Sequence, residues 1–169
     1  MIQLNLHSVT RSTLFVAAIF TAYASSTVQS AIVFNNFGPG DDFAVGGRIL
    51  EGPNVNSVGD VNQAAQFTVG ASPALLTSVS LGIFVNDSPS IGTGPLDIVV
   101  AADAAGAPGA TLRTLPINVN ATGQQVVTGV DDGSFMLEAN TDYWIIADGE
   151  DEFRGSWNFN TIGDVGPTA

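Results

Sequence analysis

From residue 31 onward, short runs rich in Val, Ile, Phe and Thr alternate with clusters of Gly, Pro, Asn and Asp. No window in this part of the sequence has helical periodicity, whereas the short runs have the length and composition of strands. The predicted strands are residues 31–34, 47–50, 64–69, 75–85, 96–102, 111–119, 124–130, 134–137, 142–147 and 153–159. Strands at this spacing, with no helices between them, predict an all-β fold, an antiparallel and jelly-roll-like β-sandwich.

Alternation of buried and exposed positions is clearest over residues 75–85, where Ser78 and Ser80 interleave with Val79 and Leu81. This pattern predicts a strand with one buried face and one partly solvated face. Turns are predicted at 38–41, 86–89, 92–95, 106–109 and 131–133, and we expect the last of these to close a β-hairpin. Residues 101–110 are rich in Ala but are interrupted by Gly and Pro, so they predict a long loop rather than a helix.

The first 30 residues have the pattern of a secretory signal peptide. A polar start with one cation, Arg11, precedes the apolar run 14–20, and Ala22-Tyr23-Ala24 fits the small-x-small rule for cleavage. The run is shorter than the roughly 20 apolar residues that span a bilayer. We therefore expect a cleaved leader of residues 1–24, with cleavage as late as residue 30 as the alternative. A single domain over residues 31–169, without a transmembrane segment, would follow.

The residue types left after cleavage exclude most enzyme chemistry. The only His, His7, lies in the predicted leader, and the chain has no Cys and no Lys. Ser and Cys nucleophiles need an imidazole base, Schiff bases need an amine, and zinc sites draw on imidazole and thiolate ligands. Carboxylates remain, either as the acid pair of a glycoside hydrolase or as oxygen ligands for a hard cation such as calcium.

The net charge narrows the class of partners. With 16 Asp and Glu against 4 Lys and Arg, the chain carries a formal charge of −12 at pH 7. Nucleic acids and anionic membranes repel such a chain, so neither is an expected partner.

A series of motifs follows the predicted leader: NNFGPGDDF at residues 35–43, AxxFTV and LTSV within 63–69 and 75–79, GxPGxxL at 106–112 and LxAxTxYW at 137–144. In this order, they resemble the opening, the core, a turn and a strand entry of the choice-of-anchor R domain family of bacterial exported proteins. The resemblance implies an exported β-sandwich that is joined in its relatives to C-terminal sorting signals, often of the PEP-CTERM type. It implies no catalytic residues.

The chain departs from that family pattern near its C-terminus. No sorting signal follows residue 163, and the sequence ends soon after Trp157, where family members add a further strand or two. We therefore expect the domain to be C-terminally truncated.

Two features are candidate sites. Asp148, Glu150, Asp151 and Glu152 form the densest acidic run, which predicts either a solvated loop or, as the alternative, a calcium site. Trp157 lies between polar neighbours, unlike Trp144 in its apolar run, so Trp157 is the better candidate for a ligand contact and Trp144 for the core. A glycoside hydrolase would need two facing carboxylates, which the sequence does not place.

Together these patterns predict an exported β-sandwich, extracellular or associated with the cell surface, with a structural or adhesive role and no enzymatic activity or required cofactor. The alternative is a carbohydrate-binding module, with or without calcium, and a carboxylate-only glycoside hydrolase is the third interpretation. The expected partner is an extracellular polysaccharide or a surface matrix.

Overall fold

The computed structural model describes residues 37, 40, 42–55, 59–86 and 92–160, and the regular elements of this part of the chain are all β-strands. The strands are β1 (Phe43–Glu51), β2 (Gln63–Thr68), β3 (Ala74–Leu75), β4 (Ser78–Val85), β5 (Gly94–Asp103), β6 (Pro108–Val119), β7 (Gly123–Val130), β8 (Met136–Leu137), β9 (Asp142–Gly149) and β10 (Arg154–Asn160). Across these same residues, no helix is long and apolar enough to cross a membrane.

Eight of the strands form two four-stranded antiparallel sheets. The first sheet has the order β1-β10-β4-β7, and the second sheet has the order β2-β9-β5-β6. Strands β3 and β8 form a short additional ladder. Among the eight strands, successive strands lie in opposite sheets, except for the hairpin of β5 and β6. This is the strand order of a jelly roll, and the predicted all-β sandwich is confirmed.

The observed strands correspond to the predicted ones, apart from shifted ends, such as a start of β1 at Phe43 rather than 47, and the differences that follow. The predicted strand 75–85 is divided into β3 and β4, and the predicted strand 31–34 lies outside the described residues. The expected long loop at 101–110 is wrong, because β5 runs to Asp103 and β6 begins at Pro108. A tight turn joins them: the Ala104 amide donates to the Ala107 carbonyl at 2.8 Å, and the Gly106 amide donates to the Asp103 carboxylate.

The predicted turn at residues 131–133 is present, but it does not close a hairpin. Strand β7 pairs with β4 and strand β8 pairs with β3, so the turn joins two different ladders. Its acidic residues satisfy local amides: Gly133 donates to Asp131 at 3.0 Å, and Ser134 donates to Asp132 at 2.8 Å. The Asp-Asp-Gly sequence therefore specifies the turn, whereas the strands it joins are set by packing.

The main core lies between the two sheets. Strand β4 contributes Val79, Leu81 and Ile83, and strand β5 contributes Leu96 and Ile98. Burial alternates along β4 as the pleat requires, since Ser78 and Ser80 on its other face are exposed. Gly82 on that other face is nonetheless buried, because the ring of Phe43 lies over it, leaving no room for a Cβ atom.

Candidate functional site

The outer face of the second sheet carries every acidic residue of its strands, and we call it the acidic face. In β5, Asp97 lies between Leu96 and Ile98, which are fully buried in the main core, so its side chain points outward. The register places Asp97 directly opposite Asp148 of β9. The remaining acidic strand residues, Asp103 and Asp142, lie on the same face at the other end of the same two strands.

Two further carboxylates approach the Asp97 and Asp148 pair, and the four residues Asp60, Asp97, Asp148 and Glu150 form what we call the acidic corner. Burial raises the pKa of the Asp148 carboxyl above its ordinary value, and the charges of Asp60 and Asp97 raise it further. A hydrogen bond with the Asn62 side chain partly opposes this shift. Burial is also the largest cause of the raised pKa of Glu150, followed by the charges of Asp148 and Asp97.

The acidic corner overlaps only partly with the acidic run predicted as a calcium site. Asp148 and Glu150 belong to both sets, while Asp151 and Glu152 are exposed in the turn between β9 and β10. The described residues contain no group of three or more His, Cys, Asp or Glu side chains that could hold a metal ion. The geometry thus adds no support to a calcium site, which stays a prediction.

Asp60 and Asp97 are the members of the acidic corner that the sequence did not indicate. Asp97 is a single carboxylate within an apolar strand, and Asp60 precedes β2. The polar residue in that apolar run was a signal that one face of β5 is solvated. Which residue lies opposite Asp97 depends on the register of β5 against β9, two strands that are about 50 residues apart in sequence. No local pattern encodes that register.

The turn that carries Glu150, Asp151 and Glu152 also holds neighbouring segments through its backbone. The Asp151 carbonyl accepts from the Asn54 amide at 3.0 Å, and the Glu152 carbonyl accepts from the Gly92 amide at 3.1 Å. The ring of Phe153, fully buried, lies beneath the turn, and a Cβ atom at Gly149 would approach its Cδ1 to 2.8 Å. The acidic turn is therefore a structural junction, whatever its side chains bind.

Trp157 lies on the inward side of β10. It is opposite Arg48 of β1 and Ile83 of β4, and its partly buried ring packs against the main core. Much of the ring thus contributes to packing, and a ligand contact at its exposed part stays a prediction.

Trp144 is buried, as its apolar run predicted, but on the acidic face rather than between the sheets. Only 1% of it is exposed, and it packs with Ala64 and Ala101 in a second, small cluster. Its Nε1 donates to Asp103 Oδ1 at 2.8 Å, and Gln66 Nε2 donates to the same oxygen at 2.9 Å. These bonds, the Trp144 bond above all, lower the pKa of Asp103. Asp103 therefore fixes the indole in place on the sheet.

The outer face of the first sheet, which we call the neutral face, carries one buried ion pair. Arg154 Nε lies 2.9 Å from Glu51 Oε1, and the Glu51 side chain is fully buried. No hydrogen bond joins these two atoms despite the short distance, so the carboxylate is held by charge rather than by an aligned bond. Every other residue whose side chain is described on this face is uncharged, since Arg48 faces inward beside Trp157.

No protein-family model matches this chain, and neither the curated proteins nor the solved structures include a match to it. The resemblance to the choice-of-anchor R family thus depends on the sequence motifs quoted above.

Proposed function

We propose that this protein is an exported β-sandwich, extracellular or associated with the cell surface, with a structural or adhesive role. The observation that carries the proposal is the N-terminal pattern of one cation, an apolar run and Ala22-Tyr23-Ala24. The resemblance to exported choice-of-anchor R proteins agrees with it. The partner class that we propose is an extracellular polysaccharide or a surface matrix, since a strongly acidic chain is expected to repel nucleic acid.

The use of the polar side chains supports a structural role over a catalytic one. Asp103 holds Trp144, Asp131 pairs with Arg113 at 3.4 Å, and Glu51 pairs with Arg154. Each of these carboxylates joins segments that are distant in sequence. These three carboxylates are thus engaged in holding the sandwich together.

Cell fractionation tests the export. Expressed from its own start codon in a bacterial host, the chain is expected in the periplasm or the medium, with an N-terminus at Ser25 or Ala31 by mass spectrometry. A matched control carries Val16→Asp and Ile19→Asp in the apolar run and is expected to stay uncleaved in the cytoplasm. Cytoplasmic retention of the uncleaved wild-type chain would refute the proposal.

A second candidate function, glycoside hydrolysis, is favoured by one observation, the Asp97 and Asp148 pair. Directly opposite residues of neighbouring strands have Cβ atoms about 4.5–5.5 Å apart, and retaining glycosidases hold their carboxyl groups about 5–5.5 Å apart. A raised pKa suits the acid partner of such a pair, and Asp148 has one. Release of reducing sugar from a polysaccharide panel, abolished in both Asp97→Asn and Asp148→Asn, would establish this function. Binding to the same panel without hydrolysis, lost in Trp157→Ala, would instead indicate a carbohydrate-binding module.

A further inference from the structure

The four edge strands of the two sheets are protected to different degrees. An exposed edge strand offers unpaired backbone groups to another chain, and proteins usually block this with Pro, charged residues, bulges or short strands. Edge strand β6 contains Pro116 and Arg113, and its ladder with β5 is interrupted by register shifts. Edge strand β1 has a shift between Phe43 and Gly47, and edge strand β2 is only 6 residues long.

Edge strand β7 has none of these protective features. Its sequence, GQQVVTGV, contains no Pro and no charged residue. It pairs with β4 in an unbroken register of eight residues, from Gly123 opposite Val85 to Val130 opposite Ser78. Its outward side chains are exposed, including two apolar ones, Val126 at 41% and Val130 at 74%. Strand β7 is therefore a regular, uncharged edge that can accept a further strand.

The charge distribution selects a second copy of this chain as the occupant. Two copies with a net charge of −12 each repel one another wherever their carboxylates meet. Strand β7 extends the neutral face, and the acidic face lies on the opposite side of the sandwich. Edge strand β6 of the second sheet, which contacts β7, also contains no carboxylate.

Symmetry makes the same edge self-complementary. A twofold axis normal to the sheet pairs β7 with its copy in antiparallel orientation, which brings outward side chains opposite outward side chains. Val126 and Thr128 then face Val126 or Thr128 of the partner, and β-branched residues pair well across strands. No charge is buried, and the backbone groups of both edges gain partners.

We propose that β7 is a self-association edge, at which two copies of the chain pair their β7 strands to form one continuous eight-stranded sheet. The contact is small compared with a stable dimer interface, so the association is weak and reversible. Because the net charges oppose it, added salt strengthens it. The proposal goes beyond export and does not depend on it.

Sedimentation equilibrium tests the proposal, using the purified chain from low micromolar to near-millimolar concentration in low and high sodium chloride. The wild-type chain is expected to dimerise, more tightly in high salt. Val126→Glu places like charges close to the twofold axis, opposite or diagonal to one another, and is expected to weaken the dimer about tenfold or more. The matched control Ile49→Glu adds the same charge to an exposed position of β1, the opposite edge strand of the same sheet, and is expected to leave the dimer unchanged. Circular dichroism and melting confirm that both variants are folded.

Single cysteines give an independent readout, because the wild-type chain has none. Cα atoms of directly paired strand residues lie about 4.5–5.5 Å apart, within the range that a disulfide bridges. Val126→Cys or Thr128→Cys is expected to form disulfide-linked dimers faster than Thr114→Cys. A wild-type chain that is monomeric throughout, or a dimer that Val126→Glu leaves intact, would overturn the proposal.

Discussion

The outer faces of the two sheets differ in the number of charged side chains they carry and in how far those charges are neutralised. On the acidic face, Asp97, Asp103, Asp142 and Asp148 point outward, and the only cation of those strands, Arg113, faces inward opposite Val100. On the neutral face, the described charged residues are Glu51 and Arg154, which neutralise one another. Local side-chain contacts compensate one end of the acidic face, at Asp103, whereas the acidic corner has little compensation. The sandwich thus concentrates its like-charge repulsion at the acidic corner and keeps the neutral face close to uncharged.

The largest expected effect concerns the compensated end of the acidic face. Trp144→Ala removes a buried indole together with its hydrogen bond to Asp103, and such truncations cost about 3–5 kcal/mol. Ile49→Ala, at a 42% exposed position of the neutral face, is the control and is expected to stay within about 0.5 kcal/mol of the wild type. Urea unfolding measures both. Equal losses in the two variants would mean that the Trp144 cluster adds nothing to stability.

The next largest effect concerns the ion pair of the neutral face. Arg154→Met leaves the buried Glu51 carboxylate without its cation, and we expect a loss of about 2–3 kcal/mol. The loss is below the figure for a wholly buried pair because the Arg154 side chain is partly in water. Adding Glu51→Gln to Arg154→Met removes the uncompensated charge and is expected to restore much of the stability. A double variant no more stable than Arg154→Met would show that the charge of Glu51 is not the cause.

The sequence predicted the features that depend on neighbouring residues, such as strand alternation and turns. It did not predict the features that depend on which strands pair and in which register. The alternation in β4 and the position of the Asp-Asp-Gly turn were predicted correctly, because pleat and turn chemistry depend on neighbouring residues, whereas the hairpin expected at that turn was wrong. The opposition of Asp97 and Asp148 was not predictable, since it depends on the register of β5 against β9. The burial of Trp144 was predicted, but its position on the outer face was not. Which alternate side chains of a strand face the core is decided by the strands and the sheet that pack against it, and no local pattern encodes this.

The acidic corner is expected to respond weakly to neutralisation, and with a defined pH dependence. Asp148→Asn relieves the like charge of Asp97, so it should stabilise the fold at neutral pH by about 0.5 kcal/mol, limited by solvent screening. The folded pKa of Asp148 is raised, so the folded wild type binds more protons than the unfolded chain between the ordinary pKa of 3.8 and the raised folded value. The wild type therefore gains stability as pH falls through that window.

Urea unfolding of both chains from neutral pH to below 3.8 measures this response. The advantage of Asp148→Asn is expected to shrink as pH falls and to vanish once the wild-type carboxyl is protonated. The lowered pKa of Asp103 acts in the opposite sense, because its stabilisation is lost as pH falls below 3.8 toward the folded value. That loss occurs in both chains, so the difference between them isolates Asp148. An advantage independent of pH would mean that charge is not its origin.

The smallest expected effect is a calcium-specific one at the acidic corner. A bound calcium ion would stabilise the fold by about 2.7 kcal/mol at a hundredfold excess over its dissociation constant, and the melting midpoint would rise by several degrees. Screening of the carboxylates would also raise the midpoint, but sodium at matched ionic strength does this equally. Since no three side chains of the described residues are placed to share a metal, we expect calcium and sodium to shift the midpoint alike. A larger shift in calcium, lost in Asp148→Asn combined with Asp151→Asn but kept in the control Asp142→Asn, would contradict this expectation. It would also show that the corner rearranges around a cation or gains ligands from outside the described residues, because the described residues alone do not provide the ligand set.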